Sequence, residues 1–133
     1  QPILFRLRSD LLDVCLQCFD GRLGTRPIEW DTRAAVGVVM ASRGYPDAYN
    51  KGQAIGGLER VSGADVKIFH AGTRLEGRTV VTDGGRVLCA VALGDSVRKA
   101  RETAYAAVSK VSWDGAFWRT DIGYRAVQRE EQR

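Results

Sequence analysis

Side chains that carry redox, metal or proton-transfer chemistry are scarce in this 133-residue chain, which has three cysteines and one histidine. Three cysteines are too few, and odd in number, for a disulfide scaffold, which indicates a reducing cytoplasm. The longest apolar run, Ala34–Ala41, is far below the roughly 20 residues of a membrane helix. No basic-then-apolar leader opens the chain, and no dense basic block of the kind used to bind nucleic acid is present. The sequence therefore predicts a cytoplasmic protein without membrane or nucleic-acid partners.

Length and composition fit one domain, or one domain plus part of another. Apolar residues make up 44% and charged residues 27%, as is usual in globular proteins. The chain begins Gln1-Pro2 without an initiator methionine and runs at once into a helical pattern. We interpret this start as the C-terminal part of a longer protein.

Helical spacing of apolar side chains over residues 3–19 predicts one helix, with Pro2 suited to its first turn and Gly21 to a left-handed cap. One face of this helix is strongly apolar, so it requires a large packing partner. Residues 21–33 are polar and contain two glycines and a proline, which predicts a surface connection. The expected organisation is a terminal helix over 1–21, a linker over 22–33 and a β-rich domain over 34–133.

Within the β-rich domain, short apolar and β-branched runs separated by turn residues predict a mostly antiparallel sheet. The predicted strands are Ala34–Ser42, Ala54–Val61, Val66–His70, Thr79–Thr82 and Val87–Leu93. A second helix is expected at about 95–111, capped by Asp95 or Ser96 and packed on the sheet through small alanines. The charged end, 128–133, is expected to fray. The fold class is α+β, and the expected core includes four aromatic residues: Trp113, Phe117, Trp118 and Tyr124.

Established catalytic and metal-binding motifs are absent from the sequence: no phosphate-binding loop, dinucleotide fingerprint or nucleophile elbow is found. Cys15 and Cys18, with Cys89 and His70, offer four ligands for zinc, and a Cys-x-x-Cys pair also occurs in redox proteins. Cys15 and Cys18 lie on the apolar face of a predicted helix, where cysteine behaves as a small buried hydrophobe. We therefore expect core packing for this pair, with no catalytic and no metal-binding residues.

Two turns offer groups that can bind an anion. Asp83-Gly84-Gly85-Arg86 brings two glycine N–H groups into one bend, followed by a guanidinium that can hold a phosphate. A plain hairpin turn, with glycines at positive φ and a solvated arginine, is the alternative. His70-Ala71-Gly72-Thr73 offers a ring nitrogen, a glycine that permits close approach and a hydroxyl, although a histidine at a strand end is often structural.

Several stretches, taken in order, resemble the C-terminal part of the glycinamide ribonucleotide synthetase (phosphoribosylamine–glycine ligase) family. The resemblance covers essentially the whole chain. The segments that carry it are Gln1-Pro2-Ile3, 8–12 (RSDLL), 37–42 (GVVMAS), 44–46 (GYP), 66–73 (VKIFHAGT), 83–88 (DGGRVL), 92–95 (ALGD), 113–117 (WDGAF) and 121–126 (DIGYRA).

The resemblance implies an ATP-grasp ligase of purine biosynthesis that joins 5-phosphoribosylamine and glycine, with ATP and Mg²⁺ or Mn²⁺ as cofactors. Its metal ligands would lie just before Gln1, so the 133 residues alone are expected to be inactive. It also implies that residues 1–21 are the last helix of the ATP-grasp domain. The remainder would be a hybrid-motif domain like that of biotin carboxylase, part barrel and part sandwich.

By analogy with relatives that act on phosphoribosyl substrates, the resemblance assigns Arg86, with Gly84 and Gly85, to the substrate phosphate. His70, Gly72 and Thr73 would lie on the same rim. The expected partners are the remaining domains of the same enzyme and small-molecule substrates. The competing hypothesis is a stand-alone, non-catalytic binding module for an acidic partner, but the apolar face of residues 3–19 disfavours it.

Overall fold

Two short helices open the chain, and a β-rich segment with one long helix follows. The computed structural model describes residues 1–132. Its helices are α1 (Pro2–Phe5), α2 (Leu11–Phe19), α3 (Val97–Val108) and α4 (Tyr124–Glu131), with a 3₁₀ turn at Leu58–Arg60. Its strands are β1 (Ala34–Ser42), β2 (Val66–His70), β3 (Thr73–Glu76), β4 (Thr79–Thr82), β5 (Arg86–Gly94) and β6 (Ala116–Phe117).

The larger sheet is fully antiparallel, with strand order β2-β5-β1-β6. Strand β5 lies at its centre and is buried from Val87 to Gly94, as the apolar run predicted. The register of β1 against β5 shifts after Met40, so Val87 has no opposite residue on β1. Met40 and Val87 are both fully buried in the core, which lies between this sheet and α3. The predicted α+β class with antiparallel pairing is confirmed.

Helix α3 packs on the sheet through small side chains. Ala100, Ala104 and Ala107 are buried, and a Cβ at Gly94 would lie 2.4 Å from the backbone nitrogen of Ala100. Small residues on both sides therefore allow the close approach. Ser96 caps the helix, accepting from the Lys99 N–H at 3.0 Å, so the predicted cap is confirmed.

Residues 128–131 of the charged C-terminal end belong to helix α4, although the sequence predicted fraying there, and Arg133 lies outside the described residues. The Glu130 carboxylate accepts hydrogen bonds from the N–H groups of Val97 and Arg98, at 2.6 and 3.2 Å. These are free donors of the first turn of α3, where a negative charge is favourable. A contact across 33 residues thus fixes a segment whose own sequence has little apolar content.

A second sheet consists of the β3–β4 hairpin, which turns at Gly77 with φ 58°. Of this sheet, only β4 was predicted as a strand. The predicted strand Ala54–Val61 is wrong: Ala54 and Gly56 form isolated bridges, and the 3₁₀ turn follows. Gly57 explains the interruption, because its φ is +86° and it packs against the Lys110 carbonyl.

The predicted single helix over residues 3–19 is also wrong, because the chain leaves the helix between Arg6 and Asp10. Leu7 pairs with Trp30 in an antiparallel bridge, and the Arg8 N–H donates to the Glu29 carbonyl at 2.9 Å. Asp10 then caps α2 by accepting from the N–H groups of Leu12 and Asp13. A bridge to the following connection therefore replaces one turn of helix.

The two N-terminal helices differ in what they contact. Helix α1 lies on the sheet face opposite α3, where Pro2 packs on Gly37 and Phe5 contacts Phe69 edge-on, with ring centroids 5.9 Å apart. Helix α2 has no buried residue, and the Phe19 side chain is 92% exposed. Within residues 1–132, no helix is both long and apolar enough to cross a membrane.

Several core predictions fail at exposed positions. Cys15 and Cys18 lie on α2 and are exposed, because nothing in the described chain covers that helix. Trp113 is buried and Trp118 packs against the core, as predicted, whereas Phe117 and Tyr124 are 41% and 42% exposed.

Asp31 ties the N-terminal segment to the sheet. Its buried carboxylate is paired with Arg8 and, through two oxygens, with Arg33 at 2.9 and 3.0 Å. Arg33 also reaches Asp65 at 2.9 Å, and the Arg6 guanidinium donates to the Asp31 carbonyl. The hydrogen bonds from Arg33, more than those from Arg8, hold the pKa of the Asp31 carboxyl well below its usual range.

We expect this cluster to make stability depend on acidic pH. An aspartate in the unfolded chain titrates near 4, so the contribution of Asp31 is complete above that pH and is lost as the pH falls further. Asp31→Asn should lower the unfolding midpoint by several degrees at pH 7 and flatten the decline below pH 4. Thermal unfolding of the chain from pH 3 to 7 measures this, with Asp47→Asn in an exposed loop as the control. Equal pH profiles for Asp31→Asn and the unsubstituted chain would contradict the assignment.

Candidate functional site

The two turns singled out in the sequence meet at one corner of the fold. The Gly72 N–H donates to the Arg86 carbonyl at 2.9 Å, and the Asp83 N–H donates to the Gly72 carbonyl at 2.7 Å. The turn after β2 and the bend before β5 are therefore joined directly. A Cβ at Gly72 would lie 2.6 Å from the Gly84 Cα, so only glycine permits this contact.

The segment Asp83–Gly85 is a bend, and it is not the plain hairpin turn that the sequence offered as the alternative. It connects β4 in the smaller sheet to β5 in the larger one, and these strands do not pair. Neither Gly84 nor Gly85 has a positive φ. The glycines are needed for close packing instead: Gly84 against Gly72, and Gly85 against the ring of Tyr45.

The carbonyl groups of the bend are turned towards β1. The Ser42 N–H donates to the Gly85 carbonyl at 2.9 Å, and the Ser42 hydroxyl donates to the Gly84 carbonyl at 3.4 Å. The Gly85 N–H and the Gly84 carbonyl belong to the same planar trans peptide and point in opposite directions. Because that carbonyl faces the Ser42 hydroxyl, the Gly85 N–H points away from Ser42. Within residues 1–132, no group accepts from the N–H of Gly84 or Gly85.

Arg86 lies beside a hollow of about 260 Å³ on the α1 side of the sheet. The other residues that line it are Gln1, Val39, Ala71, Leu88 and Cys89. No acidic side chain in the described part of the chain pairs with Arg86. A guanidinium without an acidic partner, directly following two unpaired backbone N–H groups in the chain, offers the kind of groups that bind a phosphate or carboxylate.

The acidic residue nearest in sequence is already neutralised. Asp83 lies 3.2 Å from the Arg74 guanidinium and 3.5 Å from the Lys51 ammonium. Arg74 also pairs with Glu76, which raises the pKa of its guanidinium further. The carboxylate of Asp83 is therefore paired with Arg74 and Lys51 and does not neutralise the charge of Arg86.

The predicted site residues do not all share this hollow. His70 Nδ1 and the Thr73 hydroxyl share a hydrogen bond at 3.0 Å. The His70 side chain lines a separate groove with Lys67 and Gly63 along the β2 edge. Gly72, Gly84, Gly85 and Arg86 are brought together, whereas His70 and Thr73 form an adjacent pair.

Ser42 and Tyr45, which are not among the predicted site residues, hold the bend in place. The signal for Tyr45 was the adjacent pair of glycines, since one of them leaves room for its ring. Cys89 also lines the hollow, and burial raises the pKa of its thiol, which keeps it protonated. No cluster of three or more His, Cys, Asp or Glu side chains that could hold a metal ion occurs in residues 1–132.

Comparison with known proteins decides the family. Residues 35–125 match the family described as "Phosphoribosylglycinamide synthetase, C domain". The chain belongs to this family. The His70–Thr73 turn, the bend and Arg86 lie inside the matched residues. Gln1 and helices α1 and α2 lie outside them.

The relatives of this phosphoribosylglycinamide synthetase C domain are longer proteins. A phosphoribosylamine–glycine ligase from Vibrio vulnificus is 51% identical over 133 residues, all of this chain and 31% of that protein. The ligase from Salmonella typhimurium is 52% identical over 132 residues, 98% of this chain and 31% of its own. This chain therefore spans about a third of the length of these relatives.

A solved structure supports the same assignment. The crystal structure of a phosphoribosylamine–glycine ligase from Thermotoga maritima matches with a TM-score of 0.68 and 35% sequence identity. The match covers 83% of this chain and 26% of that one. The synthetase C-domain fold described above is thus shared with part of a larger enzyme.

Proposed function

We propose that this chain is the C-terminal part of a cytoplasmic phosphoribosylamine–glycine ligase and supplies one wall of its phosphoribosylamine site. The whole enzyme would join 5-phosphoribosylamine and glycine at the expense of ATP, giving glycinamide ribonucleotide. The observation that carries the proposal is that Gln1 and Arg86 line the same hollow. By the resemblance, the metal carboxylates directly precede Gln1, so Arg86 would face the catalytic centre.

In this proposal Arg86 and the N–H groups of Gly84 and Gly85 hold the substrate phosphate. Fixing the phosphate orients the amine at the other end of the ribose towards an activated glycine. Orientation alone can supply a large part of a rate enhancement, and no general base is required from this wall. His70 and Thr73 would form the adjoining rim.

ATP and Mg²⁺ or Mn²⁺ would be bound by the other domains. The described residues hold no metal-binding cluster, and by the resemblance the metal ligands precede Gln1. In this proposal, the part played by this chain is substrate binding.

The N-terminal helices would connect the two parts of the ligase. We assign residues 1–21 to the ATP-grasp domain, 22–33 to a linker and 34–133 to the hybrid-motif C-terminal domain of the biotin carboxylase type. The exposed apolar face of α2, with Leu12 at 67% and Phe19 at 92% exposure, supports packing against the rest of that domain. The same face disfavours the alternative of a stand-alone module for an acidic partner.

Protection from hydrogen exchange would test the proposed wall. In the full-length ligase, we expect glycinamide ribonucleotide to slow exchange in peptides that contain Gly84 and Gly85. Peptides that cover the exposed turn at Gly77 serve as the internal control and should not change. Protection confined to peptides outside residues 34–133 would contradict the proposal.

The 133-residue chain by itself is expected to be inactive. It holds the proposed phosphate site but none of the carboxylates that the family uses for its metal. Formation of glycinamide ribonucleotide from phosphoribosylamine, glycine and ATP should therefore be undetectable with the purified chain. ATP-dependent product formation by this chain would contradict the proposal that ATP and the metal are bound by other domains.

A further inference from the structure

The ring of Tyr45 covers Gly85 at the centre of the bend that carries Arg86. A Cβ at Gly85 would lie 2.0 Å from Cδ2 of Tyr45, 2.8 Å from Cε2 and 2.9 Å from Cγ. Contacts this short leave no room for any side chain at Gly85. The bend therefore cannot move towards the ring, and Gly72 blocks it on another side through its contact with Gly84.

The loop that carries Tyr45 is itself held firmly. Gly44 has a φ of +96°, and a Cβ there would lie 2.0 Å from the Ala48 carbonyl oxygen. The Tyr45 N–H donates to the Ser42 carbonyl at 3.1 Å, and the Tyr49 ring lies 6.3 Å from the Tyr45 ring. Ser42 also donates to the carbonyls of Gly84 and Gly85. Ser42 is therefore hydrogen-bonded both to Tyr45 and to the bend.

We propose that Tyr45 is a positioning residue for substrate binding, which acts by holding the Gly84-Gly85-Arg86 bend under its ring. The inference rests on the proposed function, since it concerns the same phosphate site. Tyr45 does not contact the substrate in this proposal. It fixes the direction of the N–H groups of Gly84 and Gly85 and the backbone from which the Arg86 side chain extends.

The ring, and not the hydroxyl, carries this role. Within residues 1–132, the Tyr45 hydroxyl has no hydrogen-bond partner, whereas three of its ring carbons approach Gly85. Phenylalanine preserves the ring and its packing, and alanine removes both. The two substitutions therefore separate packing from hydrogen bonding.

The test uses the full-length ligase with Tyr45→Phe, Tyr45→Ala, Arg86→Ala and the double substitution Tyr45→Ala/Arg86→Ala. We expect Tyr45→Ala to raise the KM for phosphoribosylamine and the Kd for glycinamide ribonucleotide about tenfold, since small misplacements of binding groups are costly. The KM values for glycine and ATP should stay within about twofold. Tyr45→Phe should keep all of these values near those of the unsubstituted enzyme. The loss in the double variant should be smaller than the sum of the two single losses, since part of the Tyr45→Ala effect acts through Arg86.

The outcomes separate this inference from the proposed function. If Arg86→Ala leaves phosphoribosylamine binding unchanged, the proposed phosphate site is wrong. If Arg86→Ala weakens binding but Tyr45→Ala does not, or if the two effects add fully, only the positioning role is overturned. A loss in Tyr45→Phe equal to that in Tyr45→Ala also overturns it, since the hydroxyl would then act on the substrate.

Two glycine substitutions keep the test decisive if the Tyr45→Ala variant fails to fold. Gly85→Ala should raise the KM for phosphoribosylamine, because the added methyl group must displace the Tyr45 ring or the bend. Tyr45→Leu, which has no flat ring, should relieve part of that loss when combined with Gly85→Ala. Gly56→Ala is the matched control, since a Cβ there meets nothing within 4 Å. A normal KM in Gly85→Ala would overturn the inference.

Discussion

Arg86→Ala in the full-length ligase is expected to raise the KM for phosphoribosylamine about 10- to 100-fold while leaving the KM for glycine nearly unchanged. A hydrogen bond from a charged group to a phosphate contributes about 1.5–3 kcal/mol, which corresponds to that range. The effect should be specific because Arg86 has no acidic partner in the described chain whose loss would disturb the fold. Steady-state kinetics with each substrate varied in turn measures it.

Arg78→Ala is the control for charge removal. Arg78 is exposed between β3 and β4, away from the hollow that Arg86 lines. Its replacement should change neither KM by more than about twofold. Equal increases in both KM values after Arg86→Ala, or no increase at all, would remove Arg86 from the substrate site.

Gly72→Ala is expected to damage both the fold and the site. The added Cβ would lie 2.6 Å from the Gly84 Cα and 2.8 Å from the Arg86 carbonyl oxygen. Both are backbone atoms, so no side-chain rotation can relieve the contact and the bend must move. Overpacking of this kind costs about 1–3 kcal/mol, and the displaced bend should raise the KM for phosphoribosylamine by about tenfold or more.

Urea unfolding of the chain and kinetics of the full-length ligase together measure this prediction. Gly56→Ala tests whether the loss of a glycine matters in itself, and its free energy of unfolding should change by less than about 0.5 kcal/mol. Unchanged stability and unchanged KM in Gly72→Ala would show that the two turns are not packed as described.

Much of the sheet could be predicted because local patterns determine it. The apolar run at Val87–Leu93 gave a buried central strand, and the alanines of α3 gave the face that packs on it. The break between Arg6 and Asp10 could not be predicted, since its cause is pairing with Glu29–Asp31, about 20 residues further along the chain. Local helical spacing contains no information about such a partner.

The candidate site also combines features that local sequence patterns predict with features that depend on distant contacts. Its residue types and the bend were predicted from the turn chemistry of Asp83–Arg86. The reason for the glycines was wrong, because adjacent glycines predict a positive φ and the structure uses them for close packing. That packing depends on Tyr45, some 40 residues earlier, and on Gly72, neither of which the local sequence of the bend can reveal.

The attachment of α1 to the sheet has a consequence for substrate selection in the proposed ligase. Pro2 against Gly37, Phe5 against Phe69 and the ion pair of Arg8 with Asp31 fix the segment after Gln1 to the body that carries Arg86. Within the described chain, Gln1 is therefore held at a fixed position relative to Arg86. In the proposed ligase, we expect this fixed spacing to favour a substrate whose amine and phosphate are one ribose apart.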